Sequence, residues 1–372
     1  MKKIPLILLS LIGRESRSSY EKTLPKDPNK QLRLGVVGCG QVFERYHLPA
    51  LKRSLNWKLV AVCEPLKERR EWIQKSFQEL STFESFPTFL QKSYLDAVLI
   101  TSPPATHSEL AIQALEMGLN VLVEKPMALN SKEALLMLKA SIRAQKQLWV
   151  GFNRRFRRPY LNLREELAAI PKDSIRAIYF ELVFDPQNWK TVTPYLGEDS
   201  KGGGVLDDVA SHQVDLLPWL LDQRVKEVKA EHSIRNGVKC VKYRLKFEDE
   251  LVANCLAGHG RSYSENLEIQ LEDRKLLTYP CGVLETRWMS PSLVRSYCQL
   301  KTASHLILHK LTQKPNFTLE SFEKQFSSFA AVIQDEKGPF LGADAKSGVR
   351  SLQVIQACRE SLEFGGSWKS LT

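Results

Sequence analysis

The side chains best placed to do chemistry stand in short stretches. Gly38-Cys39-Gly40-Gln41-Val42-Phe43 follows an apolar run, Leu32–Val37. Glu124-Lys125-Pro126 follows another, and Gly202-Gly203-Gly204-Val205-Leu206-Asp207-Asp208-Val209-Ala210-Ser211-His212 leads into a helical pattern. Oxidising an alcohol carbon requires a group to take the hydroxyl proton, and it is helped by a cation or donor on the same oxygen. Lys125, leaving a strand with Pro126 stiffening the backbone after it, suits the second task; the plainer alternative is a surface lysine paired with Glu124. Asp208 and His212 are four residues apart, which on an α-helix sets them on one face with Cβ atoms about 6 Å apart. The carboxylate could then orient the imidazole and raise its basicity. Asp215, three residues on, either supports His212 or faces solvent. Asp-x-x-x-His is common by itself, and no third ligand with suitable spacing joins it, which disfavours a metal centre.

The glycine pair points to a dinucleotide. Gly38 permits a tight turn and Gly40 lets the backbone approach a pyrophosphate, while the helix beginning at Gln41 and Val42 aims free N–H groups and its positive dipole end at the phosphates. Phe43 replaces the third glycine of the usual fingerprint, which bears on helix–strand packing more than on phosphate contact. Glu64 ends the second strand and can accept hydrogen bonds from ribose hydroxyls. That favours NAD over NADP, although Lys67, Arg69 and Arg70 nearby soften the preference. Ligands of such sheets lie beyond the carboxyl ends of the strands. Thr101, Pro103 and Glu124 are therefore candidates to border the cofactor, and His107 reads as a structural or cofactor-wall residue rather than a base.

These residues need elements to position them. Leu32–Val37, Lys58–Cys63, Asp96–Thr101, Asn120–Glu124 and Leu148–Phe152 read as buried strands. Helices at about 41–54, 66–80, 106–117 and 131–145 alternate with them. That alternation predicts a doubly wound α/β domain with a parallel sheet over residues 32–152. Beyond it, Ile175–Phe184, the 225–256 region with an Asn236-Gly237 hairpin signal, Leu267–Leu271 and Lys275–Tyr279 read as strands. Helices are predicted at 160–169, 207–221, 321–333 and 345–362, so residues 153–372 form an α+β domain.

With 372 residues, 43% hydrophobic and 26% charged, the chain has room for two cores. The net charge of +11 is scattered, which favours a solvated basic surface over a nucleic-acid interface. The seven cysteines form no Cys-x-x-Cys pair and read as reduced, buried thiols. Residues 4–13 are apolar behind Lys2 and Lys3, the outline of an export signal, but they lack a small-x-small cleavage site and are too short to span a bilayer. Residues 1–31 are expected to be a loosely ordered extension, and the location to be cytoplasmic.

Taken together, Gly38-x-Gly40, Glu124-Lys125-Pro126 and the glycine-led Asp208-x-x-x-His212 resemble the Gfo/Idh/MocA family, which includes glucose–fructose oxidoreductase and inositol dehydrogenase. Val42–Ala50 and Gly151-Phe152-Asn153-Arg154-Arg155-Phe156 are similar to it too, and the resemblance covers nearly all of residues 32–365. It implies a Rossmann domain followed by a domain with a large open sheet, often the face of a homodimer or homotetramer. It also implies NAD(P)-dependent oxidation or reduction of a sugar, cyclitol or related polyol. Lys125, Asp208 and His212 would be the catalytic group, with His212 the proton acceptor, Lys125 on the reacting oxygen and Asp208 setting the pair. Asn153, Arg154, Arg155 and Trp189 would lie near the substrate. The competing expectations are a same-fold hydrolase or epimerase that retains NAD and oxidises only transiently, and an NAD-binding sensor without catalysis.

Overall fold

The computed structural model describes residues 14–15, 31–77, 79–184, 203–235, 237–260, 263–279, 282–286, 296–297, 300–301, 303–304, 307, 317–336 and 340–371. Trp189, Gly202, Cys281, Cys298 and nearly all of the N-terminal extension lie outside these residues. Within the extension, β1 (Arg14–Glu15) pairs antiparallel with the edge strand β14 (Gly282–Thr286).

A seven-stranded sheet is assembled from β2 (Leu32–Val37), β3 (Trp57–Cys63), β4 (Ser81–Phe83), β5 (Ala97–Ile100), β6 (Asn120–Val123), β7 (Leu148–Val150) and β15 (Ala343–Asp344). Its order is β15-β7-β6-β5-β2-β3-β4, and every pair but β15–β7 is parallel. Ala-Val-Leu-Ile in β5 is buried throughout, because helices cover both faces of the sheet and leave no side for polar alternation. The crossovers are α1 (a π turn, Phe43–His47, running into Leu48–Arg53), α2 (Lys67–Ser76), α3 (Phe86–Lys92), α4 (Pro104–Glu116) and α5 (Ser131–Ala144). Asn130 caps α5 by accepting from the Glu133 N–H.

The second sheet has nine strands, with β8 (Ile175–Phe184), β9 (Val225–Arg235), β10 (Val238–Phe247), β11 (Val252–His259), β12 (Ser264–Leu271), β13 (Lys275–Tyr279) and β16 (Lys369–Ser370) joining β1 and β14. The order is β1-β14-β13-β12-β8-β11-β10-β9-β16, with β8 and β11 parallel and the other pairs antiparallel. In β10, Tyr243, Leu245 and Phe247 are buried while Lys242 and Arg244 face out, the period-two pattern of a sheet covered on one side. The cover consists of α6 (Arg158–Ala168), α7 (a π turn, Leu206–Ala210, running into Ser211–Leu221) and α9 (Ala345–Glu363). Gln213 locks α7 onto the sheet: its amide donates to Phe180 O at 2.7 Å, and Tyr243 Oη donates to its Oε1 at 2.7 Å.

The two sheets are not joined by a single linker. α8 (Phe317–Ile333) returns to the first one, where Trp57 Nε1 donates to Phe326 O at 2.8 Å and Trp149 packs on Phe329. β15 then extends that sheet. The first sheet is therefore completed by residues well beyond 152. The described cysteines, Cys39, Cys63, Cys240, Cys255 and Cys358, are buried free thiols. No helix among the described residues is long and apolar enough to cross a membrane.

Candidate active site

The site begins at the carboxyl ends of β2, β3, β5 and β6. The Gly38 N–H donates to Cys63 O at 2.9 Å, and its φ of +88° is one that side chains with a Cβ rarely adopt. A Cβ there would come within 2.7 Å of the Ser102 N, so the glycine is demanded by the neighbouring backbone. Gly40 differs: a Cβ would meet nothing within 4 Å. No described residue fills the space above Gly40, at the opening of α1, and that open cradle fits the pyrophosphate of a dinucleotide. Phe43 is fully buried where α1 widens into its π turn, so the bulky ring at the third fingerprint position sits in the core without closing the cradle.

Several residues expected to border a cofactor brace the cradle. Glu64 is buried, with Oε2 accepting from the Cys39 N–H at 2.7 Å and Oε1 from the Leu66 N–H at 3.0 Å. Thr101 Oγ1 donates to Gly38 O at 2.6 Å, and Pro103 is the residue before the first turn of α4. His107 is buried between two carbonyls, Pro126 O at 2.9 Å from Nδ1 and Ser102 O at 2.8 Å from Nε2. Burial lowers its pKa, and the ring is wedged between the β5 loop and the turn after Lys125. Arg69 donates to Cys39 O and pairs with Glu44; Arg70 donates to Glu64 O at 2.6 Å.

Glu124 is a correction. It was expected to face the cofactor, but it turns inward: His47 Nε2 donates to its Oε1 at 2.8 Å, and the Lys125 N–H donates to its Oε2 at 3.0 Å. Burial raises its pKa, but His47 and Lys125 more than offset this and hold it below the usual carboxylate range. The charge of Glu124 thus fastens α1 to the end of β6, next to the cis Lys125–Pro126 bond.

Lys125 itself reaches the other domain. Its Nζ donates to Asp208 Oδ1 at 2.7 Å and to Asp208 O at 3.0 Å. Asp208 Oδ2 accepts from His259 Nε2 at 3.1 Å. A carboxylate can only accept here, which puts the proton of His259 on Nε2. Burial pushes Asp208 up, but Lys125 and then His259 outweigh it and hold the carboxyl far below its ordinary range.

Asp208 therefore does not orient His212, as the four-residue spacing suggested. The reason is local: Leu206–Ala210 is a π turn, so the α-helical overlay of residues i and i+4 fails across it. His212 lies instead edge-on to Phe152 and Phe184, with ring centroids 6.4 and 6.1 Å away, and its Nδ1 is buried with no hydrogen-bond partner. Burial, followed by the charges of Arg154, Lys125 and Arg157, pushes its pKa well below the normal histidine value. His212 is a neutral imidazole beside three cations.

Arg154 and Arg157 converge on Glu265, which also accepts from Tyr160 Oη at 2.5 Å and from Tyr263 Oη. Arg154 lies over the Phe184 ring that touches His212. The other residues expected near substrate are engaged elsewhere. Arg155 is buried in a two-pronged pair with Asp215, at 2.9 and 2.5 Å, and also donates to Gly342 O. Asp215 accordingly supports Arg155, not His212. Asn153 donates to Ser321 Oγ at 3.1 Å. His259, Arg157 and Glu265 have no local signal that marks them, save that Arg157 stands in the basic run Arg154-Arg155-Phe156-Arg157-Arg158.

Comparison with known proteins identifies the family and the fold. Residues 32–152 match the family described as "Oxidoreductase family, NAD-binding Rossmann fold", and residues 175–275 match the "GFO/IDH/MocA C-terminal domain". Myo-inositol 2-dehydrogenase of Thermotoga maritima is 28% identical over 205 residues, 55% of this chain and 59% of the relative. Oxidoreductase P35 of Formosa agariphila is 28% identical over 192 residues, 49% of this chain and 58% of the relative. The chain thus spans under two thirds of the length of these relatives. Among solved structures, scyllo-inositol dehydrogenase from Lactobacillus casei with bound NAD(H) and scyllo-inositol has a TM-score of 0.74 at 18% identity, covering 92% of this chain and 99% of the other. The WlbA dehydrogenase from Bordetella pertussis in complex with NADH and UDP-GlcNAcA gives the same TM-score and coverage at 20% identity. These likenesses show a shared fold.

Proposed function

Since the chain belongs to the GFO/IDH/MocA family of oxidoreductases, we propose that it moves a hydride between a nicotinamide dinucleotide and a CH–OH carbon of a sugar, cyclitol or related polyol. The observation that carries this reading is the meeting of Lys125 and Asp208 across the two domains, beside a neutral, unpartnered His212. Names among the relatives and neighbours, inositol dehydrogenases above all, support the polyol class.

NAD, when bound along the Gly40 cradle, supplies the hydride acceptor. The protein's own contribution follows from charge. Lys125 is an ammonium held by Asp208, so it can donate to the reacting oxygen and stabilise negative charge developing there. His212 is neutral and can accept the hydroxyl proton through a ring nitrogen. Burial, then the charges of Arg154, Lys125 and Arg157, disfavour the imidazolium, so the resting ring is neutral and free to accept, and the proton it takes passes to solvent when product leaves. Phe152 and Phe184 keep water from the ring. Oligomerisation through the open sheet and residence in the cytoplasm are part of the same proposal.

The test has two steps. Native mass spectrometry of the purified chain reads copurified NAD or NADP together with the oligomeric state. A panel of inositols, aldoses and sugar acids is then screened for growth of the reduced-nicotinamide absorbance band. NADH formed with turnover supports a dehydrogenase. Bound NAD that is never released, with product formed but no net reduction, would favour transient oxidation instead.

A further inference from the structure

His259 carries no recognisable motif, yet it completes the carboxylate on which Lys125 depends. It is the last residue of β11, in parallel register with Phe184, the last residue of β8. The Gly260 N–H donates to Phe184 O at 2.6 Å, which anchors the backbone directly after it. From this rigid strand end the imidazole reaches Asp208 Oδ2, while Lys125 holds Oδ1 and the Asp208 carbonyl. Asp208 sits in a π turn, where the backbone is less regular than in an α-helix. With Lys125 alone on it, the carboxylate could turn about its terminal torsion, which is broad and weakly restrained. A donor on each oxygen sets its plane and with it the position of the Lys125 ammonium. The ring side chain is 15% exposed, so it borders the cleft and is not part of the core.

We propose that His259 is a positioning residue that fixes Lys125 through Asp208. This rests on the reading that Lys125 polarises the reacting oxygen, but the geometry can be tested without any substrate. Its physical content is one hydrogen bond to a charged group, contributed by a strand end outside the Asp208 turn itself.

The experiment uses the full chain and acetylation of lysines under limiting acetic anhydride, read by peptide mass spectrometry. The measured quantity is the rate at Lys125 relative to exposed Lys132 and Lys139. Removing the hydrogen bond in His259→Ala should raise this ratio by about threefold or more, the equivalent of one net hydrogen bond. Asp208→Asn should raise it further, and His259→Gln, which keeps an N–H donor, should restore it to near the wild-type value. A merely structural role would speed all lysines together and leave the ratio unchanged, and that result overturns the proposal, as does a ratio in His259→Gln equal to that of His259→Ala. Failure of the wild-type chain to reduce NAD with myo-inositol, scyllo-inositol or glucose would count against the proposed reaction while the labelling still reads the geometry. Where turnover is found, His259→Ala should lower kcat about tenfold with little change in KM.

Discussion

The Lys125 ammonium lies 2.7 Å from Asp208 Oδ1, although 83 residues separate the two in the chain. One comes from the end of a parallel strand and the other from the opening turn of a helix laid against the second sheet. Lys125→Met keeps most of the stem volume and removes the charge. It should lower kcat/KM by at least about 10², while NAD affinity, read by fluorescence titration, stays within about threefold. An equal loss of NAD binding would place Lys125 in the cofactor site instead.

His212 makes a pH prediction whose sign follows from its depressed pKa. In the unfolded chain it takes a proton below its ordinary value of about 6.5, while in the folded chain it stays neutral. Its contribution to stability is therefore complete above about pH 6.5 and falls as the pH drops below it. Urea unfolding from pH 7.5 to 5.5 should show the wild type losing stability more steeply than His212→Gln. Parallel slopes would mean the imidazole is not held neutral. His212→Gln should also lower turnover by at least about 10².

The two fingerprint glycines should part company on substitution. Gly40→Val puts a side chain into open space, so the melting temperature should hardly change while NAD affinity falls by at least about tenfold. Gly38→Ala meets the Ser102 backbone and a left-handed φ, and it should destabilise the fold by about 1–3 kcal/mol. Scanning calorimetry with and without NAD distinguishes these outcomes. Stability lost equally in both variants would contradict the open cradle.

Glu265 should govern part of the acid response. Burial raises its pKa, but Arg154 and Arg157 outweigh this and hold it at about 2. Such a carboxylate stabilises fully above its unfolded value of about 4.5, and the contribution, about 3 kcal/mol, drains away as the pH falls toward 2. The stability gap between wild type and Glu265→Gln should therefore narrow between pH 4.5 and 2.5. A gap independent of pH would show that Glu265 acts through packing alone.

Legibility tracked the range of the forces involved. The buried strands, the alternation with helices and the Asn236-Gly237 hairpin signal rest on local pattern, and β2, β8 and β13 begin and end where the pattern put them. β4 and α3 were missed, because Ser81–Phe83 is too short for a period and Phe86-Pro87 reads as a break. α2 stops at Ser76, short of the expected 80. At the site, Lys125 and Asp208 were visible as residues, but their partnership was not, since it is made across two domains. The spacing of Asp208 and His212 misled because it assumed an α-helical turn where the chain forms a wider one. His259 had no local signal: a histidine at a strand end acquires meaning only from what the fold sets opposite it.

The short strand β15 has a further consequence. The chain leaves the nucleotide-binding half at residue 150, builds most of the second half, and comes back to hydrogen-bond along β7 before α9 begins. A joint made of one segment would leave the halves attached at a single point. Here the returning segment acts as a second seam, so the chain cannot be cut after residue 152 without stripping an edge and uncovering Trp149. Any movement of one half against the other has to turn about both crossings at once, the one near residue 152 and the one between β15 and α9.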